Sequence, residues 1–321
     1  MVSINCITYN HEDYIQDALE GFLMQRTDFD FEILVGEDCS TDGTRQIVEK
    51  YVQQYPEKIK MITSKQNVGG RENAIRLQEA SKGRYIAICE GDDYWTDPYK
   101  LQKQVDYMES HPDCTFCFHN AIIVNGKRKR WKMLHKKLIK TSNYYNRGAG
   151  MYTAGELAML DFIPTASYLF RKELLDNPPD WYMTAIVGDV PVKLIAASHG
   201  YAYYMDEIMS VYRTGVKGSV TYIWRKESGN KQRQQIINSG FLVMFDAFND
   251  YSNGLFEQDL DTAKIQFEVE LLRLDNEREK LKSPRYKEYF RRLGWIGRMK
   301  YFAKLYFPRG YILFTRIKAY I

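Results

Sequence analysis

The chain has 321 residues, 45% of them hydrophobic and 27% charged, with 9 Pro, 21 Gly and a formal net charge of +4. That is an ordinary globular mix, long enough for one large domain and an appendage. No run approaches the ~20 apolar residues of a membrane-spanning helix, so an integral membrane protein is not expected. The first residues, Met1-Val2-Ser3-Ile4-Asn5-Cys6-Ile7, lack the basic start and cleavage site of a signal peptide and read directly as a strand. The 5 cysteines, an odd number, sit mostly in apolar runs, which points to a reduced, cytosolic compartment.

Over the first 125 residues two periodicities alternate. Short β-rich apolar runs at 2–8, 31–36, 60–63 and 85–89 are separated by helical patterns at 12–24, 42–55 and 71–82. Strand and helix at this spacing predict an α/β fold, a mostly parallel sheet with helices on both faces. A helix over 98–110 and a strand over 114–124 follow. Residues 125–150 hold nine Lys/Arg and no acid, and read as a basic loop that is either plainly solvated or meets an anionic acceptor, a membrane surface or a diphosphate. Order returns at 164–170, in a helix at 187–198 and in a strand at 201–210. From about Tyr222 the pattern is helical, with long amphipathic stretches at 232–248 and 260–281. Two domains are therefore expected, 1–220 for catalysis and 221–321 as a helical extension.

In an open α/β sheet, ligands bind beyond the carboxyl ends of the strands. Here those ends are polar: Thr8-Tyr9-Asn10-His11-Glu12, Glu37-Asp38-Cys39-Ser40-Thr41-Asp42, Asn67-Val68-Gly69-Gly70-Arg71, and Glu90-Gly91-Asp92-Asp93. No GxGxxG follows the first strand and there is no GxxxxGK[ST] loop, which disfavours a dinucleotide site and a P-loop. Three acids at positions 90, 92 and 93 repel one another without a cation. Carboxylates in that spacing suit Mg²⁺ or Mn²⁺, leaving positions open for substrate phosphate oxygens. Asp189, on a Gly-Asp turn before an apolar helix, reads either as a helix cap or as a general base.

In order, Ile7-Thr8-Tyr9-Asn10, the Gly36–Thr44 segment around Glu37-Asp38, Asn67-Val68-Gly69-Gly70, and Gly83-Arg84-Tyr85 running into Glu90-Gly91-Asp92-Asp93-Tyr94-Trp95 resemble glycosyltransferase family 2. Gly188-Asp189 and Asp206 through Tyr212-Arg213 match later motifs, so the resemblance spans about residues 1–220. It implies the GT-A fold, a Rossmann-like nucleotide-sugar-binding sheet, and it implies roles. Thr8, Tyr9 and Asn10 would line the nucleotide pocket with Glu12 nearby, and Asp38 would bond the base, usually uracil. Asn67 and Gly69 would lie beside the nucleotide, within reach of Arg71. Asp92 would be the DxD metal ligand, supported by Glu90 or Asp93, and Asp189 the base of an inverting reaction. Three departures stand out: Glu90 for the first acid of DxD, Cys39 for a glycine, and Thr214-Gly215-Val216-Lys217 where a His is common. Arg213 and Lys217 are expected to hold the diphosphate in its place.

Cys114-x-x-Cys117 stands alone without a second pair and reads as strand core. Residues 285–321 hold ten Lys/Arg, one acid and eleven aromatics. That composition serves an interfacial helix on an anionic bilayer, a subunit interface giving a homo-oligomer, or packing on the catalytic domain. No nucleic-acid module is recognisable. The expectation is a cytoplasmic enzyme, free or peripheral on the inner face of the membrane, transferring a glucose- or galactose-type hexose from a UDP-sugar. Its acceptor would be a lipid-linked saccharide or a protein-linked glycan. A non-catalytic nucleotide-sugar-binding scaffold and a sugar-phosphate nucleotidyltransferase are the alternatives. Intact Asp189 argues against the first, and the missing glycine-rich basic loop after strand one against the second.

Overall fold

Alternation of Val2, Ile4 and Cys6 with Ser3 and Asn5 makes β1 (Val2–Thr8) a strand with an apolar face and a polar but buried face. The computed structural model describes residues 1–126, 137–138, 148–160 and 162–307, so most of the basic stretch 125–150 and the end of the tail fall outside the described residues. The chain divides into two compact units, Met1–Tyr182 with Val187–Tyr222, and Met183–Ile186 with Ile223–Ile321.

In the first unit, β1 is followed by α1 (Ile15–Leu23), β2 (Phe31–Glu37), α2 (Thr44–Gln54), β3 (Ile59–Thr63), α3 (Gly70–Ala80) and β4 (Tyr85–Ile88). Next come β5 (Tyr94–Trp95), α4 (Lys100–Ser110), β6 (Cys114–Asn125), β7 (Lys137–Leu138), β8 (Gly150–Tyr152) and α5 (Ala154–Ala158). β9 (Leu169–Arg171), α6 (Asp180–Thr184), α7 (Asp189–Ser198) and β10 (Tyr201–Thr214) complete the series. Among the described residues the strands form one sheet in the order β3-β2-β1-β4-β9-β6-β10-β5, with β7 beside β6 and β8 beside β10. β3, β2, β1 and β4 run parallel, as do β6 and β10. β9 lies antiparallel between β4 and β6, and β5, β7 and β8 are short antiparallel additions. The long ladders are thus the parallel ones, and the sheet as a whole is mixed.

One face of the sheet closes on Ile15, Ala18, Leu19 and Phe22 of α1 and Leu101, Val105 and Met108 of α4, which cover Val2, Ile4, Cys6, Ile33, Val35, Ala87 and Cys89. On the other face α3 comes very close. A Cβ on Gly36 would lie 2.5 Å from the Asn73 side chain, whose Nδ2 donates to the Gly36 carbonyl at 2.6 Å. Cys114 and Cys117 are buried on β6, and all five thiols are free. β10 runs past the expected end at 210 because register shifts at Met205/Ile208 and Ile208/Ser210 break the alternation while the pairing with β6 continues.

After β10 the chain is helical: α8 (Val220–Lys226), α9 (Lys231–Tyr251), α10 (Glu257–Leu274), α11 (Pro284–Arg292) and α12 (Gly294–Tyr306). α9 and α10 stack Phe241 on Phe267 at 4.4 Å. Both helices stop at an asparagine in the left-handed region, Asn253 (φ 52°) and Asn276 (φ 61°). In each, the next residue's amide donates back to a carbonyl five residues earlier, Gly254 to Asn249 and Glu277 to Leu272, each at 2.9 Å. This stop ends α10 at Leu274, short of the 281 that its periodicity suggests. Among the described residues no helix is long and apolar enough to cross a membrane.

Candidate active site

The strand ends named from the sequence do meet at one rim, tied mostly through backbone amides. Asn10, at φ 55°, accepts from the Thr41 amide at 2.8 Å through Oδ1, and its own amide donates to Ser40 Oγ at 3.1 Å. Glu12 Oε2 accepts from the Gly43 amide at 2.8 Å, and the Glu12 amide donates to Asp42 Oδ2 at 3.1 Å. Asn10 and Glu12 therefore fasten the end of β1 to the start of α2. Thr8 is buried, with Oγ1 3.2 Å from His11 Nδ1, whereas Tyr9 is 41% exposed.

Asp38 lies only 2% exposed. Its Oδ1 accepts from the Val68 amide at 2.8 Å and its Oδ2 from the Gly69 amide at 2.9 Å. The residue expected to bond a base thus also holds the 67–69 loop, one amide on each oxygen, which leaves each oxygen a further lone pair. Asn67 Oδ1 also accepts from the Gly69 amide, at 3.1 Å, and Gly69 takes φ 87° with open space around a would-be Cβ. Arg71, at the start of α3, donates to the carbonyls of Tyr182 at 3.2 Å and Val187 at 3.0 Å. Its guanidinium, expected beside the nucleotide, anchors the loop that leads to Asp189.

Beyond β4 the chain makes a tight acidic turn, in which the Asp93 amide donates to the Glu90 carbonyl at 3.0 Å. Gly91 presses on β1, where a Cβ would lie 2.6 Å from Thr8 Oγ1. Asp93 is 1% exposed; its Oδ1 accepts from the Arg213 amide at 2.7 Å, and its Oδ2 is buried without a hydrogen bond. Burial, then the charges of Asp92 and Glu90, push its carboxyl well above the ordinary value. Asp93 thus braces the turn from inside.

Arg213, expected at a diphosphate, is built into the rim. It is 9% exposed, donates to the Asp92 carbonyl at 2.7 Å, pairs with Asp17, and lies over the rings of Tyr94 at 4.4 Å and Tyr14 at 5.2 Å. These contacts hold the acidic turn against α1. Lys217, three residues past the end of β10, stays exposed.

Burial, then the negative charges of Asp92 and Asp189, push Glu90 up to about 8, while a hydrogen bond from Thr165 works the other way. The three acids therefore bear on one another at the rim. Asp189 is the first residue of α7, and Gly188 before it has open space around a would-be Cβ. Among the described residues no three His, Cys, Asp or Glu side chains converge tightly enough to hold an ion alone.

A family model described as glycosyl transferase family 2 matches residues 3–175. The chain belongs to that family. This glycosyltransferase is 31% identical over 279 residues to an uncharacterized protein of Mycobacterium tuberculosis, covering 82% of the chain and 72% of the relative. It is 36% identical over 110 residues, 34% of the chain and 42% of the relative, to the Escherichia coli UDP-Glc:alpha-D-GlcNAc-diphosphoundecaprenol beta-1,3-glucosyltransferase WfaP. Among solved structures, S. aureus TarS 1-349 in complex with UDP superposes with a TM-score of 0.53 at 20% identity, covering 83% of this chain and 70% of that one. That likeness speaks to the fold, a GT-A sheet flanked by helices. Sequence reasoning missed Thr165 and Asp17 as parts of the glycosyltransferase's rim, and named Tyr94 there without its contact to Arg213. Each contributes through a contact distant in sequence, which local pattern does not signal.

Proposed function

We propose that this glycosyltransferase is an inverting hexosyltransferase that uses a UDP-sugar to extend a saccharide acceptor in the assembly of bacterial surface polysaccharide or a glycoprotein glycan. The observation that supports it most is the grouping of Glu90, Asp92 and Asp189, where burial and then the two neighbouring charges push Glu90 up to about 8. The E. coli relative, whose name specifies UDP-Glc and a diphosphoundecaprenol-linked acceptor, favours a glucose-type donor and a lipid-linked acceptor. The neighbour solved with UDP favours the same nucleotide.

In this reading Asp189 is the general base. An acceptor hydroxyl attacks the anomeric carbon from the side opposite the diphosphate, Asp189 takes the hydroxyl proton, the bond from that carbon to the diphosphate oxygen breaks, and UDP departs. Arg71 sets the position of the base through the Tyr182 and Val187 carbonyls. Tyr9, the exposed ring on the rim, offers a stacking face to the base, with Asn67 and Gly69 alongside. Lys217 meets the diphosphate, with Arg213 braced at the rim. The acidic turn fits a divalent cation, Mg²⁺ or Mn²⁺: burial and then mutual repulsion raise two of its carboxyls, and Asp93 Oδ2 has no hydrogen bond. Glu90 and Asp92 would hold the ion, and when bound it supplies charge neutralisation for the leaving diphosphate.

The test replaces Asp189 by Asn and follows UDP release and product configuration with UDP-hexoses and GDP-hexoses as donors. Turnover should fall by about 10²–10⁴-fold while UDP-sugar affinity holds. Retained turnover would remove Asp189 from the mechanism, and preference for a GDP-sugar would overturn the donor.

A further inference from the structure

α12 carries a stripe of large apolar side chains that its own unit leaves in solvent. Trp295, Met299, Phe302 and Tyr306 repeat at helical spacing and are 71%, 60%, 49% and 46% exposed, Tyr306 with the Arg278 guanidinium 4.7 Å over one side of its ring. Ile296 and Phe307 widen the stripe, at 54% and 65% exposed. The roll of the helix is fixed from its other side. Tyr301 Oη donates to the Val269 carbonyl at 3.3 Å, and Lys304 Nζ pairs with Glu270 at 2.6 Å, both on α10. With that face anchored, the aromatic stripe cannot turn inward.

Charge decides what covers it. Residues 289–307 contain five Lys/Arg and no acid. Arg298 and Lys300 are exposed on α12, one on either side of the stripe by helical periodicity, whereas Arg291 and Arg292 just before it pair with Glu288 at 2.7 and 3.0 Å. A second copy seated on the stripe about a two-fold axis would bring Arg298 and Lys300 against their own copies, with no acid on α12 to meet them. An anionic bilayer meets both demands at once: headgroups take the cations, and Trp and Tyr rings with Met and Phe enter the boundary beneath them. At 13 residues the helix is about 20 Å long, too short to span and suited to lie in the plane.

We propose that α12 docks this glycosyltransferase on an anionic lipid surface, with the Trp295–Met299–Phe302–Tyr306 stripe inserted and Arg298 and Lys300 on the headgroups. The test is co-sedimentation of the full chain with vesicles of phosphatidylcholine alone and of phosphatidylcholine mixed with phosphatidylglycerol, with neither donor nor acceptor present. Binding should appear with phosphatidylglycerol and weaken as salt is raised. Arg298→Gln with Lys300→Gln should lower the partition coefficient about 25-fold, about fivefold for each cation. Trp295→Ser with Phe302→Ser should abolish binding while circular dichroism keeps its helical signal, since both side chains stand outside the packed core. Equal binding to both vesicle types, no binding to either, or full binding by the serine variant would overturn the proposal. So would a dimer of the unmodified chain in equilibrium sedimentation that the serine variant returns to monomer, because the stripe would then be a subunit interface.

Discussion

Cys39 shows what a single residue costs when it replaces the one the backbone wants. It takes φ 60° between the buried Asp38 and Ser40, a conformation in which an L-residue's Cβ crowds the following carbonyl. The penalty is about 1–2 kcal/mol, against which glycine would lose about 0.5–1 kcal/mol in the unfolded chain. Cys39→Gly should therefore stabilise the fold by up to about 1 kcal/mol and raise Tm by about 2–4 °C. A thermal melt checks it, and a lower Tm would mean that the Sγ contact with the Lys65 carbonyl, 3.7 Å long, outweighs the strain. The departure from the family's glycine was visible in the sequence; its physical meaning needed the dihedral. Asp38 and Arg213 teach the converse. Their types and positions suggested ligand contacts, and the structure gives each a bracing role that type alone did not signal, Asp38 on the amides of Val68 and Gly69 and Arg213 on Asp17 and the Asp92 carbonyl. Residue type does not say which way a side chain points once the tertiary neighbours arrive.

At the scale of elements, the candidate site depends on segments held by other segments. Arg71 at the head of α3 holds the Tyr182 and Val187 carbonyls and so sets where α7 begins, with Asp189 as its first residue. Arg71→Gln cannot hold both carbonyls in the same way. With Asp189 as the proposed base, its displacement should lower kcat by about 10–100-fold, with donor affinity unchanged. Steady-state kinetics together with direct UDP-sugar titration separates the cases: weakened donor binding at unchanged kcat would make Arg71 a ligand contact instead. The elements themselves were legible where they were long and periodic, as β1 to β4 and α1 to α4 were. β5, two residues of Tyr94-Trp95, and three-residue β8 and β9 are too short to show a period, and they are the antiparallel pieces that make the sheet mixed. The end of α10 was hidden for another reason. Asn276 supplies a left-handed stop that hydrophobic spacing does not register.

For the sheet-bearing unit as a whole, the most consequential buried group is one that the periodicity treats as surface. Lys100 is 0% exposed; its Nζ lies 4.1 Å over the Trp95 ring and donates to Gln104 Oε1 at 2.7 Å. Gln104 in turn donates to the Ser167 carbonyl at 2.9 Å, so this polar chain joins α4 to the segment behind the acidic turn. Burial, opposed only weakly by Cys89 and Cys117, pushes the amine from its ordinary 10.5 down to about 7. Between those two values the unfolded chain binds a proton that the native chain does not, so stability rises with pH across the window and is lost as pH falls towards 7. The slope approaches about 1.4 kcal/mol per pH unit for one proton. Lys100→Met removes it, while neighbouring thiols and tyrosines titrate alike in both proteins and cancel in the difference. Whatever the fixed offset between the two, unmodified protein should therefore gain on Lys100→Met by about 1 kcal/mol per unit between pH 7 and pH 9. Urea unfolding at a series of pH values reads that difference directly. A gap that stays constant with pH would mean that Lys100 keeps its proton in the folded core and that the Trp95 ring and Gln104 compensate the buried charge.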